Sequence, residues 1–236
     1  MKRTKTIMKR TLITTICAMG LSVVASQGAA IAVADNSFEG TPGLNAAGDW
    51  SNNLDANWSE RGGAGNGDVF GEWITGFSSE GTNHIGVNVG AYLWQDTGVA
   101  FQANTKYTLS LGAGNRTNQS AAGNLTTYGL LNDATNLGVA NYAASSDVTA
   151  DGALTEAFAQ WDAFANVTAV GFGDAPDLTF TTGAVAPTGN VVIFLGADGL
   201  GRSHFDNISL DATAIPEPAS ALLGALSALA LLRRRR

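Results

Sequence analysis

Positive charge is almost missing from the middle of this chain. Five of its thirteen Lys and Arg residues fall within the first ten positions and four close the C-terminus. Residues 31–215 keep only Arg61, Lys106, Arg116 and Arg202 against nineteen of the twenty carboxylates, a formal charge of −15. A segment this acidic is repelled by a phosphate backbone, which excludes nucleic acid as a partner and favours divalent cations. Cysteine is as scarce, since Cys17 is the only one. It lies in an apolar N-terminal stretch behind Ile16, where a lipoprotein signal needs a small residue, so neither a disulfide framework nor a lipid anchor follows. The two histidines, His84 and His204, have no neighbours at metal-ligand spacing. No Gly-x-Ser-x-Gly elbow, phosphate loop, His-Glu-x-x-His helix or dinucleotide fingerprint occurs. Long apolar runs are missing too: the C-terminal run from Ala219 to Leu232, taken as a helix, spans roughly 21 Å against a hydrocarbon core of about 30 Å.

What is present begins with the two ends. Lys2, Arg3, Lys5, Lys9 and Arg10 precede an apolar stretch from Leu12 to Ala25 and then Gly28-Ala29-Ala30. This is the order of a secretory signal peptide over residues 1–30, with cleavage expected after Ala30 or Ala32 and entry through the Sec translocon. At the other end Pro216, Glu217 and Pro218 precede the short apolar run, and Arg233, Arg234, Arg235 and Arg236 finish the chain. Four arginines stay on the cytoplasmic side and leave everything before them outside. Snorkelling and thinning let the short run insert transiently as a transmembrane helix, and make it a poor permanent anchor.

The three-part tail over residues 214–236 resembles the PEP-CTERM sorting signal. That resemblance implies recognition and cleavage near the motif by an exosortase-type membrane protease. It also implies delivery to the cell surface or the exopolysaccharide matrix of a biofilm.

Between the ends, residues 31–213 have the size of one domain. Gly, Asn, Thr and Ala dominate, and short alternating segments recur between turn-forming clusters, which predicts an all-β, antiparallel sandwich. His84 to Trp94 alternates, with Ile85, Val87, Val89, Ala91 and Leu93 on one face and His84, Asn88, Tyr92 and Trp94 on the other. Tyr107, Leu109 and Leu111 share an inward face. Val191 to Leu195 is apolar on both faces and predicts a central strand. Weaker strands are expected over Ile31–Glu39, Leu125–Leu131, Leu178–Thr181 and Phe205–Leu210. Ala153 to Ala165 fits both helix and strand, and Arg61–Asp68 and Asn115–Asn124 read as loops.

Asn36-Ser37-Phe38-Glu39, Tyr92-Leu93-Trp94-Gln95-Asp96, Asn104-Thr105-Lys106-Tyr107-Thr108-Leu109-Ser110 and Phe205-Asp206-Asn207-Ile208-Ser209-Leu210 together resemble galactose-binding-like jelly rolls. Many carbohydrate-binding modules share that sandwich. The resemblance implies a structural Ca²⁺ between first and last strands, held by Glu39 and Asp206. Asp206 shares the parity of Ile208 and Leu210, so its carboxylate is expected to turn inward and to need a partner. Flat rings beside amides suit polysaccharide recognition. Tyr92 and Trp94, with Asn88 and His84 beside them, are the leading candidates, followed by Trp58 and Trp73; packing is the competing role for each ring.

The sequence therefore describes a non-catalytic exported surface or matrix protein with a structural or weak glycan-binding role. A polysaccharide hydrolase or lyase, which needs two carboxylates roughly 5–9.5 Å apart in a cleft, is the first alternative. A protein-binding adhesion module is the second.

Overall fold

The structure is a computed structural model that describes residues 28–61, 68–116, 120–135, 137–138, 142–167 and 170–216, with Gly224, Leu232 and Arg233 beyond. Most of the leader, Glu217, Pro218, most of the apolar tail and Arg234–Arg236 lie outside the described residues. Among those described, no helix is long and apolar enough to cross a membrane. Residues Gly28–Ile215 form one compact unit.

Among the described residues twelve strands pair antiparallel throughout: β1 (Ala29–Ile31), β2 (Trp50–Ser51), β3 (Ser59–Glu60), β4 (Val69–Trp73), β5 (Asn83–Asn88), β6 (Tyr92–Ala100), β7 (Thr105–Asn115), β8 (Ser120–Leu131), β9 (Thr155–Trp161), β10 (Gly171–Asp174), β11 (Leu178–Thr181) and β12 (Asn190–Ala214). Two short helices, α1 (Ser145–Ala150) and α2 (Ala163–Asn166), flank β9. The first half of β12 lies between β6 and β8 in a sheet completed by β3 and β9. Its second half lies beside β5, β7 and β1 in a sheet completed by β4, β2, β10 and β11. We call the first sheet B and the second sheet A. The crossing occurs at Gly199 and Gly201, whose φ angles of 79° and 85° suit a residue without Cβ.

The core fills the space between the two sheets. Ile85, Val87, Leu109, Leu111, Ala113, Phe205, Ile208 and Leu210 from sheet A meet Leu93, Tyr128, Leu130, Val191, Ile193, Leu195 and Ala197 from sheet B. Alternation explains most of this. In β7 Tyr107, Leu109 and Leu111 are buried as their parity requires, and Val191–Leu195 is covered on both faces. The expected strands over 125–131 and 178–181 lie in β8 and as β11, and 205–210 lies inside β12.

Three expectations are corrected. His84–Trp94 is two strands in different sheets, because a turn at Val89 and Gly90 (φ 81°) ends β5, leaving Val89 44 % exposed. Ile31–Glu39 is a strand only at its first residue; Asp35 and Phe38 take φ values of 46° and 58° in turns. Residues 115–124 are not all loop, since Asn115 closes β7 and Ser120–Asn124 already belong to β8. The ambiguous 153–165 segment resolves into β9 followed by α2.

Candidate functional site

Three surfaces follow from this arrangement, and the outer face of sheet B comes first. Tyr92 and Trp94 do point away from the core, as their parity predicts. That face is covered: with Val192, Phe194 and Leu131 they pack under Leu137, Val148 and Leu154 from the segment between β8 and β9. Tyr92 is fully buried, and its hydroxyl donates to the carbonyls of Leu137 (2.8 Å) and Tyr142 (3.2 Å). Trp94 lies beneath Gly138. Trp58 is buried as well, 5.2 Å from the Phe38 ring, with Nε1 donating to the Asp35 carbonyl. These three rings cannot stack on a sugar, and their role is packing. Trp73 is half-buried at the end of β4, and Asn88 pairs with Arg202 at the end of β5 in sheet A. Trp50, at 64 % exposure the most open tryptophan, was not singled out by its sequence context.

The segment that covers Tyr92 and Trp94 builds a groove against one end of the central strands of sheet B. Asp96 from β6, Asn132, Asp133 and Thr135 after β8, and Thr188 and Asn190 before and in β12 line an open depression of about 530 Å³. A smaller depression sharing Asn132 and Asp133 adds Tyr142 and Asp151. The side chains are fixed in advance. Asn190 donates to Asp96 (3.1 Å), Asn132 to Glu156 (2.7 Å) and the Ala153 carbonyl, and Tyr142 to Asp151 (2.7 Å). Hydrogen bonds from Thr135 hold the Asp133 carboxyl below its ordinary range, and the Tyr142 hydroxyl does the same for Asp151. That same bond, with burial, pushes the Tyr142 phenol up to about 12.

The outer face of sheet A carries a buried polar cluster. Cross-strand register aligns Trp50 with Glu72 and Glu72 with His84. A parallel row runs Phe70, Gly86, His204, then Gly114 and Phe172. The two glycines make room for rings lying on the sheet: a Cβ on Gly86 would strike Phe70, and one on Gly114 would lie 2.9 Å from both His204 Cβ and the Phe172 ring. His84 and His204 have no exposure, and their ring centroids are 5.3 Å apart. Glu72 Oε2 lies 3.4 Å from His84 Nε2 and 4.0 Å from His204 Nδ1, and Arg116 Nη1 lies 2.7 Å from both Glu72 oxygens. Burial opposes the Glu72 charge, but His84 and Arg116 outweigh it and hold the carboxyl at about 2. Burial also lowers both imidazoles; the neighbouring His84 adds to the lowering at His204, and contacts with Glu72 and the Phe77 backbone work against it at His84.

Phe77 roofs this cluster, 4.9 Å from His84 and 5.3 Å from His204. Glu39 and Asp206 hold the roof in place. Glu39 accepts from the amides of Thr82 and Asn83 at 2.7 Å each and from the Thr82 hydroxyl. Asp206 accepts from the amides of Ser79, Glu80 and Asn207. Burial pushes Asp206 up to about 6, against those three amides. Asp206 does not share the face of Ile208 and Leu210: a bulge at Asn207 (φ 51°) reverses the parity and puts its carboxylate beside the roof loop, outside the core. Among the described residues, the hydrogen-bond partners of both carboxylates are N–H and O–H donors.

No protein-family model matches the sequence, and no curated protein does. Similar folds occur among solved structures. The Stig cyclase Fisc from Fischerella sp. TAU, in complex with (3Z)-3-(1-methyl-2-pyrrolidinylidene)-3H-indole, aligns with a TM-score of 0.57 at 18 % identity over 80 % of this chain and 100 % of its own. A cyclase from Fischerella sp. TAU aligns at 0.55 and 17 % over 81 % and 100 %. The CBM22-1 xylan-binding domain of Paenibacillus barcinonensis Xyn10C aligns at 0.44 and 11 % over 81 % and 99 %. At such identities the likeness to the cyclases is one of fold.

Proposed function

We propose that this chain is an exported, non-catalytic β-sandwich that binds neutral polysaccharide at the cell surface or in the extracellular matrix. Its tail is sorted by an exosortase-type protease. The groove beside sheet B carries the reading. Its volume of about 530 Å³ falls in the range of ligand sites, roughly 300–1,000 Å³. Its polar wall of Asp96, Asn132, Asp133, Thr135 and Asn190 offers the acceptors and donors that sugar hydroxyls need. Among the described residues no lysine or arginine lines it, so uronate-rich chains are disfavoured there. The non-catalytic reading is supported by Asp133 and Asp151, which are both held ionised by neighbours and so are not poised as general acids.

Affinity electrophoresis of the full-length protein through gels containing neutral or acidic polysaccharides tests this. Retardation is expected in at least one neutral gel, and Asn132→Ala and Asp133→Ala should each weaken it about tenfold, the value of one hydrogen bond to a charged or well-placed group. Migration unaffected by every neutral polysaccharide, or retardation indifferent to both substitutions, overturns the proposal.

A further inference from the structure

The polar cluster on sheet A lies apart from the groove, and nothing in glycan binding calls for it. We propose that Glu72, His84 and His204 form a site for one divalent transition-metal ion, with Arg116 occupying the carboxylate while the ion is away. The three ligands come from adjacent strands β4, β5 and β12, and their ligand atoms all lie within 4.8 Å of one another. Bonds of about 2.0–2.1 Å in a tetrahedral site set ligand atoms roughly 3.4 Å apart. The Glu72–His84 edge already has that length, and the Glu72–His204 edge, at 4.0 Å, needs only a small ring rotation.

A second observation points the same way. Neither nitrogen of His204 makes a hydrogen bond, and His84 has only the loose approach of Nε2 to Glu72 at 3.4 Å and its contact with the Phe77 backbone, although both rings are wholly buried. A buried polar atom left unpaired is destabilising, and the two neutral rings keep two lone pairs that nothing fills. Metal coordination fills them. Neutral imidazoles and an ionised carboxylate are the forms a metal takes, and both are the forms this environment favours. Two nitrogens and one oxygen suit Zn²⁺ or Co²⁺ over Ca²⁺ or Mg²⁺. Phe77 and Phe172 wall the cluster with apolar rings. Arg116 opposes the ion, because its charge lies against the same carboxylate; its side chain is 21 % exposed. Removing that charge should therefore tighten binding, which a merely structural ion pair does not predict.

The test uses full-length, untagged protein stripped with chelator. The sequence holds only these two histidines and one cysteine, Cys17, so imidazole binding has a single address. Titration calorimetry is expected to give one Zn²⁺ per chain, and Co²⁺ the intense visible bands of a four-coordinate site. His204→Gln and Glu72→Gln should each weaken Zn²⁺ by at least about tenfold, and Arg116→Gln should strengthen it several-fold. Because the buried variants are open to misfolding, near-UV circular dichroism accompanies each. The part-exposed Arg116→Gln and the unmodified chain stand as folded reporters. Absence of Zn²⁺ binding in both of those, or binding indifferent to His204→Gln in a folded protein, overturns the proposal.

Discussion

Asp206 shows how much turns on a single backbone angle. Strict alternation from Ile208 and Leu210 places its carboxylate in the core, and the left-handed Asn207 places it outside, against the amides of Ser79 and Glu80. Asn is among the residues that tolerate that conformation, so the reversal left only that faint trace in the sequence. The consequence is measurable in metal-free protein. A carboxyl raised from 3.8 to about 6 favours the protonated fold, so its contribution to stability is complete below about pH 4 and is lost as pH rises through about 6. Denaturant unfolding of the unmodified chain and of Asp206→Asn should thus diverge by on the order of 2 kcal/mol between pH 4 and 7, the unmodified chain losing more. A constant gap across that range would show that the carboxylate is charged at no cost. His84 and His204 make the complementary point. They lie 120 positions apart in the sequence, and only the pairing of β12 with β5 brings their rings together, so no local spacing announced them.

Elements were legible wherever a strand has one wet and one dry face, or two dry ones. Tyr107, Leu109 and Leu111 fixed β7 by parity, and the β11 bounds matched the apolar segment, because both obey a period of two. Two segments read separately, Val191–Leu195 and Phe205–Leu210, proved to be one strand that changes sheets. The join is written in Gly199 and Gly201, which look like any loop glycines until their neighbours are known. A Cβ on Gly199 would collide with the Gly123 carbonyl, whereas one on Gly98, also at positive φ (69°), meets nothing within 4 Å. Gly98→Ala should cost about 1 kcal/mol for the left-handed angle alone. Gly199→Ala should cost that plus about 1–3 kcal/mol of overpacking, read as a lower urea midpoint. Equal losses would mean that the strand bends without help from the close approach. The burial of Tyr92 and Trp94 has a related reason. Parity correctly turned both away from the core, but it carries no information about a third layer, and Leu137, Val148 and Leu154 supply one.

At the scale of the whole molecule, the sandwich and the proposed export signals meet within a few residues at each end, and the two junctions differ. At the C-terminal junction the Ile215 amide donates to the Asn104 carbonyl, and Pro216 follows directly, so a cut near Pro216-Glu217-Pro218 leaves every described strand intact. The N-terminal junction is less forgiving. Ala29, Ala30 and Ile31 pair with Ala212, Asp211 and Leu210, on the leader side of or astride the cleavage positions that small residues alone suggest. Removal of the leader after Ala32 would delete β1 and leave the last residues of β12 with an unpaired edge, the kind of edge that invites association. Processing is therefore expected before Ala29, giving a mature chain that begins at or upstream of Ala29 and lacks the terminal arginines. Intact-mass and N-terminal sequence measurements on protein from the native host read both ends at once. A first residue of Ile31 or Val33 would mean that β1 is not part of the working fold. A mass that still includes Arg233–Arg236 would remove sorting by cleavage while leaving the sandwich, its groove and its buried histidines untouched.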